Sequence, residues 1–272
     1  MRTCQNLHMH STFDDGKSSC EEMLEACWAA GLTSAGVSLH SPMPFPNDWA
    51  PVHDDGFRRE MDRLKEKYAG IHPVFMGIEL DVLSVGVVDV SPYDYVIGSV
   101  HHLPGGEIPP SVDGSPEESM QTLQEVFGGD PDAMAEQYFR EVMREAEHPE
   151  MEITAHFDLL TKFDEKHGLF HPESERFRRA GCKALDALCD AGKIFEVNTG
   201  AISRGFRTTP YPSRFFLEEI RRRGGRVLVS SDAHHASAVT QSFAESETLL
   251  REVGFREIWV LREPHVYERT PL

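Results

Sequence analysis

The sequence predicts a single α/β domain spanning residues 1–272, with a mainly parallel sheet closed into a barrel. Three observations carry this expectation. Short apolar runs of strand length alternate with helical patterns from one end of the chain to the other. No low-complexity linker and no repeat of roughly 20–50 residues divides it. Nearly every strand-like run also leads into a histidine, a carboxylate or an asparagine, and in a barrel the carboxyl ends of all strands open on one face.

Each element follows from local signals. Residues 5–8 read as a first strand; Ser18 or Ser19 then offers an N-cap, with Glu21 and Glu22 in the first turn, for a helix ending at Gly31. Residues 34–39 form a strand reaching His40, and four prolines make 41–51 irregular. Phe57, Met61, Leu64 and Tyr68 recur at helical spacing within 54–69. Strands at 74–78 and 93–100 lead to Glu79 and His101, and a Pro/Gly loop separates the second from helices over 117–126 and 130–147. The strand 152–155 leads to His156, and a helix over 173–191 stops at Gly192. The strand 193–197 reaches Asn198, and a helix over 212–223 stops at Gly224. The strand 226–229 leads to Ser231-Asp232-Ala233-His234; a helix over 238–253 and an apolar run at 257–261 follow. Seven or eight such units in this length fit a barrel better than an open sheet.

Bulk properties narrow the function. A net charge of −18 lacks the basic face that a nucleic-acid partner requires. The cysteines, Cys4, Cys20, Cys27, Cys182 and Cys189, fit no zinc-finger spacing and read as buried thiols in a reducing compartment. The start M-R-T-C-Q-N lacks the apolar core of a signal peptide, and no window approaches 18 consecutive apolar residues. The expected setting is cytoplasmic, with no membrane partner. Fourteen histidines are about twice an average share, which points towards metal chemistry.

His8 and His10 are two apart on a strand, so their imidazoles share one side and can chelate one ion. Asp14 or Asp15, just beyond, adds a carboxylate. His40, Glu79, His101, His156, Asp232 and His234 each stand at the end of an expected strand. That donor set exceeds one tetrahedral site and suits two or three ions with bridging carboxylates.

Taken in order, H-M-H-S with D-G, S-L-H-S-P-M-P, G-I-E-L-D, I-G-S-V-H, T-A-H-F-D-L and S-S-D-A-H resemble the motifs of the PHP (polymerase and histidinol phosphatase) family across about residues 6–235. H-S-P-M-P, Y-D-Y-V-I-G-S-V-H-H, E-V-N-T-G and P-Y-P-S resemble its histidinol-phosphatase branch. The resemblance implies a distorted, TIM-like (β/α)7 barrel holding three divalent metal ions (zinc, manganese or iron) and hydrolysing a phosphate monoester. The implied ligands are His8, His10, Asp15, His40, Glu79, His101, His156, Asp232 and His234, with Asp14 where the family often has serine. Asp14→Ala should therefore cost much less than Asp15→Ala. Leu39 replaces the acidic residue common before His40, so a supporting carboxylate there must come from elsewhere.

The expected reaction is attack by metal-activated water on L-histidinol phosphate, or on another small phosphoester such as a nucleotide. Glu79 would bridge two ions flanked by His8, His10, His101 and Asp232; the third, near Asp15, His40 and His156, would take the phosphate. The catalytic candidates are Glu79, Asp232 and His234, with His234 both ligand and proton donor to the leaving alkoxide. Arg204 and Arg207 follow the sixth strand and suit phosphate oxygens, Asn198 would orient either arginine, and His102 would reach substrate across a turn. Asp48, Asp54, Asp55 and Asp81 offer charge to a cationic leaving group, with solvation the plainer role.

Overall fold

The computed structural model describes residues 3–51 and 53–272. Seven strands pair side by side in chain order: β1 (Gln5–Asn6), β2 (Ser34–His40), β3 (Val74–Asp81), β4 (Tyr95–Ser99), β5 (Ile153–Thr154), β6 (Ile194–Asn198) and β7 (Arg226–Ser230). Every pairing is parallel. The last and first strands meet through a parallel bridge between Met9 and Ala233, where His10 N donates to Ala233 O over 2.9 Å. The sheet thereby closes into the expected seven-stranded barrel. Its outer layer comprises α1 (Cys20–Ala29), α2 (Asp55–Lys67), α3 (Pro116–Phe127), α4 (Pro131–Arg144), α5 (Asp164–His167), α6 (Glu175–Asp190), α7 (Gly200–Ser203), α8 (Arg214–Arg222) and α9 (Phe243–Val253). Among the described residues, no helix is long and apolar enough to cross a membrane.

Period-2 alternation explains both the core and the site. Val37, Leu39, Met76, Ile78 and Val96 belong to the large core cluster shared with the helices, and the alternating set Phe75, Tyr95, Ile97, Ile194 and Leu228 forms a second, smaller cluster inside the barrel. Further along the inner face the same alternation reaches Glu79, Glu196 and Asn198. The interior thus changes from apolar at the strands' amino ends to charged at their carboxyl ends. Gly77 makes room within it: a Cβ there would lie 2.1 Å from the Tyr95 ring, whose hydroxyl donates to Leu7 O.

The apolar run at 257–261 belongs to an antiparallel hairpin, β8 (Glu257–Glu263) with β9 (Val266–Pro271). Gln5 clamps it, donating from Nε2 to Leu261 O over 2.9 Å and accepting from Leu261 N over 2.8 Å. Trp259 and Tyr267 pack against the inner apolar cluster, so the hairpin covers that end of the barrel. β9 escapes sequence reading because V-Y-E-R-T-P carries too few apolar residues to signal a strand.

Boundaries shift where side chains compete for backbone groups. The first strand's ladder covers Gln5–Asn6, because His8 N donates to Asn6 Oδ1 instead of a neighbouring strand. α6 starts later than expected because Ser174 caps it, its hydroxyl accepting from Phe177 N over 3.1 Å. α9 starts at Phe243, since Ala236–Ala238 forms a 3₁₀ turn and Ser242 takes φ 57°.

Candidate metal centre and active site

The turn after β1 folds back on itself. Gly16 N donates to Ser11 O over 3.0 Å, and a Cβ on Gly16 would lie 2.5 Å from the His10 carbonyl carbon, so only glycine permits this approach. The two aspartates before it consequently take different places. Asp15 Oδ1 faces His234 Nε2 at 3.2 Å and His40 Nε2 at 3.6 Å. Asp14 turns behind the histidines, with Oδ2 2.9 Å from His10 Nδ1 and 3.1 Å from His40 N, and Oδ1 2.9 Å from Ser11 N.

Three groups of donors converge: His8, His10 and Glu79; Glu79, His101 and His156; and His10, Asp15, His40 and His234. Glu79 joins the first two. Its Oε2 lies 3.2 Å from His8 Nε2, 3.4 Å from His10 Nε2 and 3.0 Å from His40 Nδ1, and its Oε1 lies 3.0 Å from His156 Nε2 and 3.3 Å from His101 Nε2. Despite these distances, the buried Oε2 accepts no well-directed hydrogen bond from the described residues. His8 Nε2 and His10 Nε2 face each other at 3.1 Å. Nitrogens that converge on one oxygen and on each other suit shared cations better than a hydrogen-bond network. Asp232 Oδ1 lies 3.4 Å from His10 Nε2 and 3.8 Å from His8 Nε2, and Asp232 holds a positive φ of 47°.

The partition differs in two respects from the sequence expectation. His156 sits with Glu79 and His101, not with Asp15 and His40, whose company is His234. His234 has both ring nitrogens engaged: Nε2 faces Asp15, and Nδ1 lies 3.0 Å from Arg204 Nη1 and 3.1 Å from Asp232 O. Neither is left for a leaving oxygen, so the expected proton-donor role does not fit. Burial and nearby His10 also hold its pKa below the ordinary value.

The field inside the site is cooperative. Burial opposes charge on His8, but Glu196, Glu79 and Asp232 outweigh it and raise its pKa to about 10. Burial likewise opposes charge on His10 and His101, which Asp14 and Glu79 respectively raise well above the usual range. Glu79 and Asp232 move the other way: against burial, His8 and His101 hold Glu79 ionised, and Arg204 and His8 hold Asp232 ionised. Carboxylates this strongly ionised, among convergent imidazoles, fit divalent cations that would displace the histidine protons.

Three supporting carboxylates lie behind the donors. Glu196 Oε1 is 2.6 Å from His8 Nδ1, and its Oε2 accepts from His156 N over 2.9 Å. Asp81 Oδ2 accepts from His101 N over 2.9 Å. Asp14 holds His10 and the end of β2, supplying the carboxylate that Leu39 does not. Such partners fix ring orientation and tautomer. Sequence reading assigned no such role to Glu196, although a lone acid in I-F-E-V-N on an inner-face register was a usable signal.

The expected substrate residues separate. Arg204 lines the cavity, its Nη2 3.0 Å from Asp232 Oδ2. Arg207 is spent elsewhere: it is buried, donates to Thr161 Oγ1 and to Thr209 O, and lies over Tyr211 at 4.3 Å, so it cannot meet phosphate in this arrangement. Asn198 orients no arginine; its Nδ2 donates to Glu196 Oε2 and its Oδ1 accepts from Gly200 N, each over 2.8 Å. His102 lines the cavity but lies parallel to Trp49, with ring centroids 5.9 Å apart. The cavity measures about 560 Å³. Of the acidic residues considered for the leaving group, Asp48 lines it, Asp54 accepts from Tyr93 Oη over 2.6 Å, and Asp81 supports His101.

A profile for the PHP domain matches residues 6–200. The chain belongs to the PHP domain family. A Schizosaccharomyces pombe protein named probable histidinol-phosphatase is 26% identical, over 89% of this chain and 84% of its own length. The histidinol-phosphatase of Lactococcus lactis is 22% identical, over 93% of this chain and 91% of its own. A solved structure of the Lactococcus lactis histidinol phosphate phosphatase, complexed with zinc, L-histidinol and phosphate, shares the PHP fold with a TM-score of 0.75. It is 19% identical and covers 98% of this chain and 99% of its own.

Proposed function

We propose that this protein is a metal-dependent phosphomonoesterase that hydrolyses L-histidinol phosphate to L-histidinol and phosphate. The carrying observation is Glu79, whose two oxygens each face a separate set of histidine nitrogens at the mouth of a PHP barrel. The full-length relatives named histidinol-phosphatase support the substrate.

His8, His10, Asp15, His40, Glu79, His101, His156, Asp232 and His234 would hold three divalent ions, zinc, manganese or iron. When bound, such ions acidify a water to near neutrality and neutralise phosphoryl oxygens. The chain's own residues prepare that chemistry. Glu79 and Asp232 stay ionised, Glu196, Asp81 and Asp14 hold the imidazoles in register, and Arg204 keeps a cation against the cavity wall beside Asp232. The proposed setting is a reducing cytoplasm, consistent with five free cysteines and with burial pushing the Cys20 and Cys27 thiols up to about 12.

Phosphate release from L-histidinol phosphate, measured on protein loaded with manganese or zinc and compared with a panel of small phosphoesters, tests the proposal. No turnover by a fully metallated sample, or a higher kcat/KM for a mononucleotide, overturns it.

A further inference from the structure

The cavity is several times larger than a phosphate group, and its two ends differ in chemistry. One end is the carboxylate–imidazole cluster. The other is walled by Phe45, Trp49, His102 and Ile108 and carries Asp113 and Lys162.

The aromatic wall is braced. Phe45 packs edge-on against His102 with centroids 4.9 Å apart, and His102 lies parallel to Trp49 at an interplanar angle of 7°. Trp49 in turn meets His40 edge-on at 4.8 Å, which places the indole at the boundary between the two ends. Prolines at 42, 44, 46 and 51 limit the freedom of the segment that carries it. Asp113 sits opposite in charge to Lys162, whose Nζ donates to Asp113 Oδ2 over 3.0 Å and to Asp113 O over 2.7 Å. Asp113 Oδ1 has no protein donor among the contacts of the described residues. With Asp48 and Glu118 also on the lining, the carboxylates outside the metal cluster number three against two cations, Lys162 and Arg204.

From this geometry we infer that Trp49 and Asp113 are specificity-determining residues: Trp49 receives a planar heteroaromatic ring of the leaving alcohol, and Asp113 its ammonium group. A ring with a π face stacks on indole, and a primary ammonium meets the open carboxylate oxygen. The inference rests on the proposed phosphatase reading. It adds that the enzyme selects alcohols carrying both a ring and a cation.

Three variants and four substrates test it: Trp49→Ala, Trp49→Phe and Asp113→Asn, each assayed on L-histidinol phosphate, 3-(imidazol-4-yl)propyl phosphate, 2-aminopropyl phosphate and glycerol 3-phosphate. Trp49→Ala is expected to lower kcat/KM at least about tenfold, mainly through KM, for both ring-bearing substrates only. Asp113→Asn is expected to do so for both ammonium-bearing substrates only, and Trp49→Phe should restore most of the first loss. Equal losses on all four substrates, glycerol 3-phosphate included, would show damage to the cluster or fold and overturn the inference. Unchanged ratios would overturn it as well, while leaving the phosphatase reading intact. Wild-type enzyme that turns over glycerol 3-phosphate better than L-histidinol phosphate removes both.

Discussion

Glu79 and Glu145 are equally hidden, each 1% exposed, yet their carboxyl groups are driven in opposite directions. Burial raises both. At Glu79, His8, His101 and His40 outweigh it and keep the group ionised. At Glu145, packed against Gly98 on the helix-facing side of the sheet, the Thr154 hydroxyl and Lys193 offset burial only in part, and the pKa rises to about 8. Lys193 is held away by its own bonds, donating to His148 O and Met151 O over 2.5 and 2.6 Å. Among the described residues, Glu145 Oε2 has no hydrogen-bond partner. What separates a cation-binding carboxylate from a neutral buried acid is thus the number of convergent donors, not depth.

The sharpest way to break this comparison is Glu79→Gln. Removing the charge that joins two histidine groups should lower phosphate release by about three orders of magnitude, comparable to losing a key electrostatic element of an active site. Elemental analysis should show metal lost alongside. Full metal content with full activity would mean that Glu79 joins nothing.

Next come the carboxylates behind the histidines. Asp14→Ala and Glu196→Gln should each cost about 10- to 100-fold in metal affinity or activity. For Asp14 this revises the sequence expectation of a much smaller effect, because its two oxygens hold His10, Ser11 and His40. Metal titration of each purified variant reads the loss, and wild-type affinity in Asp14→Ala would restore the earlier view.

Glu145 probes the other side. Between the ordinary carboxyl value and about 8, folded Glu145 keeps a proton that the unfolded chain has released. The folded state then binds more protons, so this group's contribution to stability falls as pH rises through that window. Glu145→Gln should therefore change little near pH ~4 and stabilise by about 1–3 kcal/mol near pH ~9, the size of one buried unsatisfied group. Paired thermal melts check it; a gain that does not grow with pH contradicts the assignment.

The smallest effect is expected at Arg207. Arg207→Lys loses the planar fork on Thr161 and Thr209 and should destabilise by about 0.5–1.5 kcal/mol. KM for the phosphoester should stay unchanged, since the side chain is engaged by Thr161 and Thr209 and does not line the cavity.

Much of this was legible in the chain. Alternating patterns and the histidines and carboxylates at 8, 10, 40, 79, 101, 156, 232 and 234 announced a barrel with chemistry at one face, because strand ends in a barrel must share that face. Their company could not be read. Asp14 and Asp15 are adjacent and chemically identical, and only the tight Ser11–Gly16 turn sends one into the cluster and the other behind it. Arg204 and Arg207 are three apart, yet one reaches Asp232 and the other Thr161. His156 stands with Glu79 because β5 lies between β4 and β6, a matter of where strands sit around the barrel. Residue type and period determine that donors collect at the mouth; which donors touch depends on distances between segments far apart in sequence, and those exist only once the barrel closes.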